Sequence, residues 1–219
     1  MTLHTYEAGT KKSPKFLVIL LHGYGANGEN LIELSNEFQP IIQDAYFISP
    51  NAIEPWEGRF PNSYQWFSLY AGVERKALDI LAPKIKNANQ ILLKFIEEQL
   101  QRFNLSYENL ILIGFSQGSM MAIYQALIMP KKIAGVISFS GKVVEPLSVG
   151  DKINSKPNIC LIHGTHDSVL PFSNFHEAQE ILSKDHIPFE AHAIENLDHT
   201  IDVRAVRIAQ NFIRKIVLK

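Results

Sequence analysis

The chain is poor in the features that mark a protein for nucleic acid, membranes or metals. Lys and Arg number 21 against 22 Asp and Glu, for a formal net charge of −1. Basic residues cluster no further than pairs such as Lys11-Lys12 and Lys131-Lys132. Nothing here attracts a polyanion, so no nucleic-acid partner is expected. A single cysteine, Cys160, excludes an internal disulfide framework and fits a reducing, cytoplasmic setting. The first apolar run, residues 16–21, is too short for a transmembrane segment, and the polar opening has no signal-peptide pattern. H-E-x-x-H and paired-cysteine spacings are missing, so no metal is expected. His22, His163, His166 and Asp167 are weighed as a metal set at one sheet edge and set aside on that ground. Neither G-x-G-x-x-G nor G-x-x-x-x-G-K-[ST] occurs, and no cofactor is expected.

What the chain does have is apolar residues at 46% and charged residues at 20% over 219 positions. That suits one globular domain spanning 1–219, large enough for a full core. Segments at 16–21, 45–50, 110–113, 133–141, 158–162 and 187–194 read as strands, the first a continuous apolar run of the kind a parallel strand covered on both faces requires. Between them, helical spacing appears at 30–42, 85–103, 120–129 and 172–184, and again after His199. Strands alternating with helices predict an α/β fold, with a mostly parallel central sheet of six or seven strands and helices on both faces. In such sheets ligands bind beyond the carboxyl ends of the strands.

One such end is distinctive. Leu110-Ile-Leu-Ile113 runs into Gly114-Phe115-Ser116-Gln117-Gly118, and a helical pattern follows. Strand, sharp turn and helix around G-x-S-x-G form a nucleophile elbow. The glycines let strand and helix approach while the turn lifts the Ser116 hydroxyl clear. A serine hydroxyl attacks acyl carbon only with a base in reach and a carboxylate to orient that base. The order expected after Ser116 is acid, then histidine. Asp167 follows the fifth strand and His199 the sixth, so these three are the catalytic candidates. His163 and His166 precede the acid, His192 lies on the solvated side of a strand, and His176 and His186 belong to a surface helix and its end. Asp198 and Asp202 do not follow the fifth strand. The oxyanion donors expected are the backbone N–H of Gln117 and that of Tyr24, in the glycine loop after the first strand. His22 is expected to brace that loop. Residues 51–70 form an aromatic-rich segment, read as an active-site wall or lid, or as a loop packed on its own rings.

Five motifs in register, L-H-G-Y-G-A-N-G (21–28), Q-W-F-S-L (65–69), G-F-S-Q-G (114–118), H-G-T-H-D-S-V-L-P (163–171) and Asp198-His199, resemble the phospholipase/carboxylesterase family of small α/β hydrolases. The resemblance implies an α/β-hydrolase fold and a serine hydrolase acting on carboxylic esters or thioesters, lysophospholipids among them. It assigns the nucleophile to Ser116, the acid to Asp167, the base to His199, and the oxyanion hole to the Tyr24 and Gln117 main chains. The acyl chain is expected along Trp66, Phe67, Val169 and Leu170. Two positions depart from the family pattern: Ser119 and Asp198 stand where glycine is usual. Ser119 is expected to alter packing slightly, Asp198 to raise the pKa of His199. Small acyl esters or thioesters are the expected partners, with transient lipid contact and a homodimer left open. The competing class is a hydrolase-like ligand binder without turnover. A dienelactone-type hydrolase would need a cysteine nucleophile, and Cys160 is misplaced for that.

Overall fold

A computed structural model describes residues 3–69 and 77–217. In chain order the strands are β1 (Thr5–Gly9), β2 (Phe16–Leu21), β3 (Ala45–Pro50), the two-residue β4 (Glu54–Pro55) and β5 (Tyr64–Gln65), β6 (Leu110–Phe115), β7 (Gly135–Phe139), β8 (Ile159–Gly164) and β9 (Phe189–Ile194). The helices are α1 (Gly28–Ile32), α2 (Ser35–Phe38), α3 (Ala77–Arg102), α4 (Gln117–Ile128), α5 (Ser173–Lys184) and α6 (Val203–Val217). Seven strands form the central sheet in the order β1-β3-β2-β6-β7-β8-β9, and β4 pairs with β5 as a separate hairpin. Every neighbouring pair in the central sheet is parallel except β1 with β3. This is the α/β-hydrolase arrangement expected.

The apolar runs serve both faces of this sheet, because successive side chains point to opposite sides. Leu17, Ile19, Leu21, Leu110, Leu112 and Val136 join the core under α3, α4 and α5. Val18, Leu20, Ile111, Ile113, Ile137 and Cys160 join the core that contains Phe38 of α2 and Phe212 of α6. Each fully buried Leu or Ile contributes about 1.5–3 kcal/mol, so the strand ends are held by their own interiors. Among the described residues no helix is long and apolar enough to cross a membrane.

The elements differ from expectation where a polar or proline-bearing stretch hides its structure. The seventh strand is β1, whose Thr-Tyr-Glu-Ala-Gly is half-buried at the sheet edge and shows no apolar run. The helix expected at 30–42 is two short helices, and Pro40 stops the second, since proline lacks the N–H the next turn needs. In the other direction, α3 begins at Ala77 and carries Pro83 inside it, ahead of the expected start at 85. The aromatic segment holds the β4–β5 hairpin and packs its own rings. Trp56 stacks on Phe60 with centroids 5.7 Å apart, and Tyr24 meets Trp56 edge-on at 5.9 Å. Tyr70, its last aromatic, lies outside the described residues.

Candidate active site

Ser116 sits between the end of β6 and the first turn of α4, with φ +53° and ψ −117°. A non-glycine residue there costs of order 1–3 kcal/mol and persists only where its surroundings impose it. The surroundings do. The Ser116 N–H bonds to Phe139 O of β7 at 2.9 Å. A Cβ on Gly118 would lie 1.8 Å from Leu21 O, and one on Gly114 would lie 2.4 Å from Gly118 O. Only glycine at both positions lets α4 start directly at the strand end. Gln117 is the first residue of α4, so its N–H has no acceptor within the helix.

The glycine loop after β2 lies against this turn: a Cβ on Gly23 would come 3.3 Å from Ser116 Cβ. His22 braces that loop as expected. The Ala52 N–H donates to His22 Nε2 at 2.9 Å, so Nδ1 carries the proton and donates to Gly23 O at 2.7 Å. Burial lowers the His22 pKa to about 4, which keeps the ring neutral. Its carbonyl accepts from Trp66 Nε1 at 3.0 Å.

The acid and base candidates come from the ends of β8 and β9. His199 Nδ1 donates to Asp167 Oδ2 at 2.8 Å. The Asp167 carboxylate is fully buried, and Oδ1 accepts from the N–H groups of Val169 (3.0 Å) and Leu170 (2.7 Å). His163, a rival base in the sequence, lies behind the acid: its Nε2 is 3.3 Å from Asp167 Oδ2 and 3.0 Å from Leu170 O. Facing two acceptors, that nitrogen carries a proton. The His199 ring packs on Phe115, the residue before Ser116, with centroids 4.9 Å apart. His166 is an exposed rim residue beside Thr165.

Ser119 and Asp198, the two positions expected to be unusual, are both accommodated by hydrogen bonds. Ser119 Oγ meets Ser138 Oγ of β7 at 2.5 Å, and a Cβ on Gly141 would collide with Ser119 Oγ at 2.0 Å. Asp198 turns to the backbone. Its Oδ1 accepts from Ser168 N (2.9 Å), Ser168 Oγ (2.8 Å) and His199 N (2.7 Å). The Ser168 N–H, followed by the other two donors, pulls this carboxyl down to about 2. Asp198 therefore ties the loop carrying the acid to the residue carrying the base.

The substrate-contact candidates separate. Phe67 lines a cavity of about 370 Å³ together with Leu69, Ile85, Met120 and Val143. Val169 is exposed and Leu170 half-buried on the acid loop. Trp66 is a correction: its side chain is fully buried and bonded to His22 O, so it presents no surface to a ligand. One role was missed in the sequence. The Gln117 side chain accepts from Trp66 N at 2.9 Å and donates to Phe67 O at 2.7 Å, fastening the aromatic segment to the elbow. Its place in G-F-S-Q-G was the available signal.

Fold and strand-end geometry together define an α/β hydrolase. The phospholipase/carboxylesterase family model matches residues 7–217, and the chain belongs to that family of hydrolases acting on ester bonds. Esterase YpfH of Escherichia coli is 28% identical over 208 residues, covering 95% of this chain and 86% of that protein. Acyl-protein thioesterase 1 of Kluyveromyces lactis is 27% identical over 196 residues, covering 84% of each. The crystal structure of esterase PE8 superposes with a TM-score of 0.90 at 33% identity, covering 99% of this chain and all of that one.

Proposed function

We propose that the chain is a serine esterase that cleaves small carboxylic esters or thioesters through an acyl-enzyme on Ser116. The observation that carries this reading is the strained positive-φ backbone imposed on Ser116, on the same sheet edge as the hydrogen-bonded His199–Asp167 pair. Asp167 holds Nδ1–H of His199, leaving Nε2 to take the Ser116 proton as Oγ attacks the acyl carbon. The N–H groups of Gln117 and Tyr24 hold the oxyanion. A single such donor is worth about 10²–10³ in turnover. His199 then protonates the leaving alcohol or thiol, and water repeats the sequence on the acyl-enzyme.

The apolar cavity begins at Met120, one helical turn beyond Ser116, and its volume lies within the range of about 300–1,000 Å³ usual for small-molecule sites. It is the proposed seat of the acyl chain, with Phe67 in its wall and Val169 and Leu170 at the side of the acid loop. Fluorophosphonate labelling and p-nitrophenyl butyrate turnover test the reading. Both are expected in the native chain and absent in Ser116→Ala. Labelling of the native chain without turnover of esters or thioesters of any length would make it a binder instead.

A further inference from the structure

The β8–β9 edge of the sheet carries a second cluster of reactive side chains. Cys160 and Glu190 are direct partners in the β8–β9 ladder, and His192 is two residues further on the same face. Sγ of Cys160, a carboxylate oxygen of Glu190 and a ring nitrogen of His192 all lie within 4.8 Å of one another. Among the described residues no other group of three His, Cys, Asp or Glu side chains converges this way. Nε2 of His192 is shut off from solvent. It is 3.3 Å from Glu190 Oε1 but makes no aligned hydrogen bond. Beside the cluster, Glu190 and His192 border an open groove of about 370 Å³, lined on the other side by Ile208, Asn211 and Lys215 of α6.

We infer that Cys160, Glu190 and His192 form a binding site for one zinc-class divalent cation, which ties the edge strand β9 to β8. A thiolate, an imidazole and a carboxylate are the ligand types Zn²⁺ selects, with water from the groove as the fourth. Ligand atoms on a common Zn²⁺ stand roughly 3.3–3.8 Å apart, so the cluster closes by shifts of about 1 Å. Two strands in register hold the ligands, which limits what the cation must reorganise. As the metal–sulfur bond forms, the Cys160 thiol proton passes to bulk water. Burial, with Glu190 alongside, pushes that thiol's pKa up, and the cation supplies the positive charge that reverses the effect. Lys215, which pairs with Glu190 at 2.5 Å, is 60% exposed and turns out into water as the cation replaces it. The site lies away from Ser116 and stands whether or not the esterase reading does.

The test titrates the full chain, stripped with a chelator, with Co²⁺ and with Zn²⁺ alone. One equivalent of Co²⁺ is expected to give a thiolate-to-cobalt charge-transfer band that Cys160→Ser abolishes. Zn²⁺ is expected to raise the melting temperature of the native chain. In His192→Ala, whose side chain is partly exposed, Zn²⁺ affinity should fall by about tenfold or more. Lys215→Ala should bind Zn²⁺ more tightly, because it removes a competing cation. Absence of stoichiometric binding to the native chain would overturn the inference. So would a charge-transfer band that persists in Cys160→Ser, or Zn²⁺ affinity unchanged in His192→Ala.

Discussion

The two halves of the candidate active site are made rigid by opposite means. The elbow is set by contact. Gly114 and Gly118 leave no space for a Cβ, and Ser116 takes up a strained backbone because strand, helix and neighbouring loop meet there. The acid–base half is set by hydrogen bonds. Asp167 has Val169, Leu170, His163 and His199 around its two oxygens, and Asp198 gathers three donors on one oxygen. Steric definition is all-or-none, so the elbow should fail abruptly. Hydrogen-bonded definition is graded, so the other half should weaken in steps that follow which partner is removed.

Substitutions can break that contrast. The largest effect is expected for Asp167→Asn. Its amide leaves the His199 tautomer uncontrolled, and ester turnover should drop about 10³–10⁴-fold with little change in fold by circular dichroism. Next is Gly118→Ala. Its methyl would have to occupy space 1.8 Å from Leu21 O, which should cost about 3 kcal/mol or more in denaturant unfolding. If this variant unfolds at the native midpoint, the elbow is not sterically defined.

The third is a pH effect at His22. Its folded pKa of about 4 lies below the unfolded value near 6.5, so between these values the unfolded chain binds the proton more readily. The contribution is complete above pH 6.5 and is lost as pH falls toward about 4, a total of about 3 kcal/mol. In His22→Gln the slope of melting temperature over that window should flatten relative to the native chain. The smallest effect is expected for Asp198→Gly, which removes the tie between Ser168 and His199. Ester kcat/KM should fall about threefold, well short of the roughly 100-fold of a 1 Å misplacement. Because this carboxyl titrates near 2, the loss should be uniform across neutral and mildly acidic pH. A loss that appears only at one end of the pH range would mean Asp198 acts on the His199 charge instead.

What was legible in the sequence follows the same division. Strands β2, β3 and β6 to β8 are apolar runs buried on both faces, and the glycine-flanked serine announces its own turn. β1 was hidden because an antiparallel edge strand, half-exposed and carrying Thr5, Tyr6 and Glu7, has no such run. The helical spacing expected to run to residue 42 is cut short after Phe38, where Pro40 overrides the pattern around it. Side-chain partnerships across the fold leave no periodicity at all. The clasp of Gln117 on Trp66 and Phe67, the burial of Trp66, and the Asp198 tie each depend on distance in space between residues 30 to 51 apart in sequence. Cys160 and Glu190 meet only through the β8–β9 register, so no ligand spacing reveals them.

The central claim, acyl transfer through Ser116, is tested most directly by quenching p-nitrophenyl butyrate turnover in acid and weighing the intact chain. A mass increase of one butyryl group, placed by peptide mapping on Ser116 and absent from Ser116→Ala, is the expected result. Ester cleavage that continues undiminished in Ser116→Ala would contradict it.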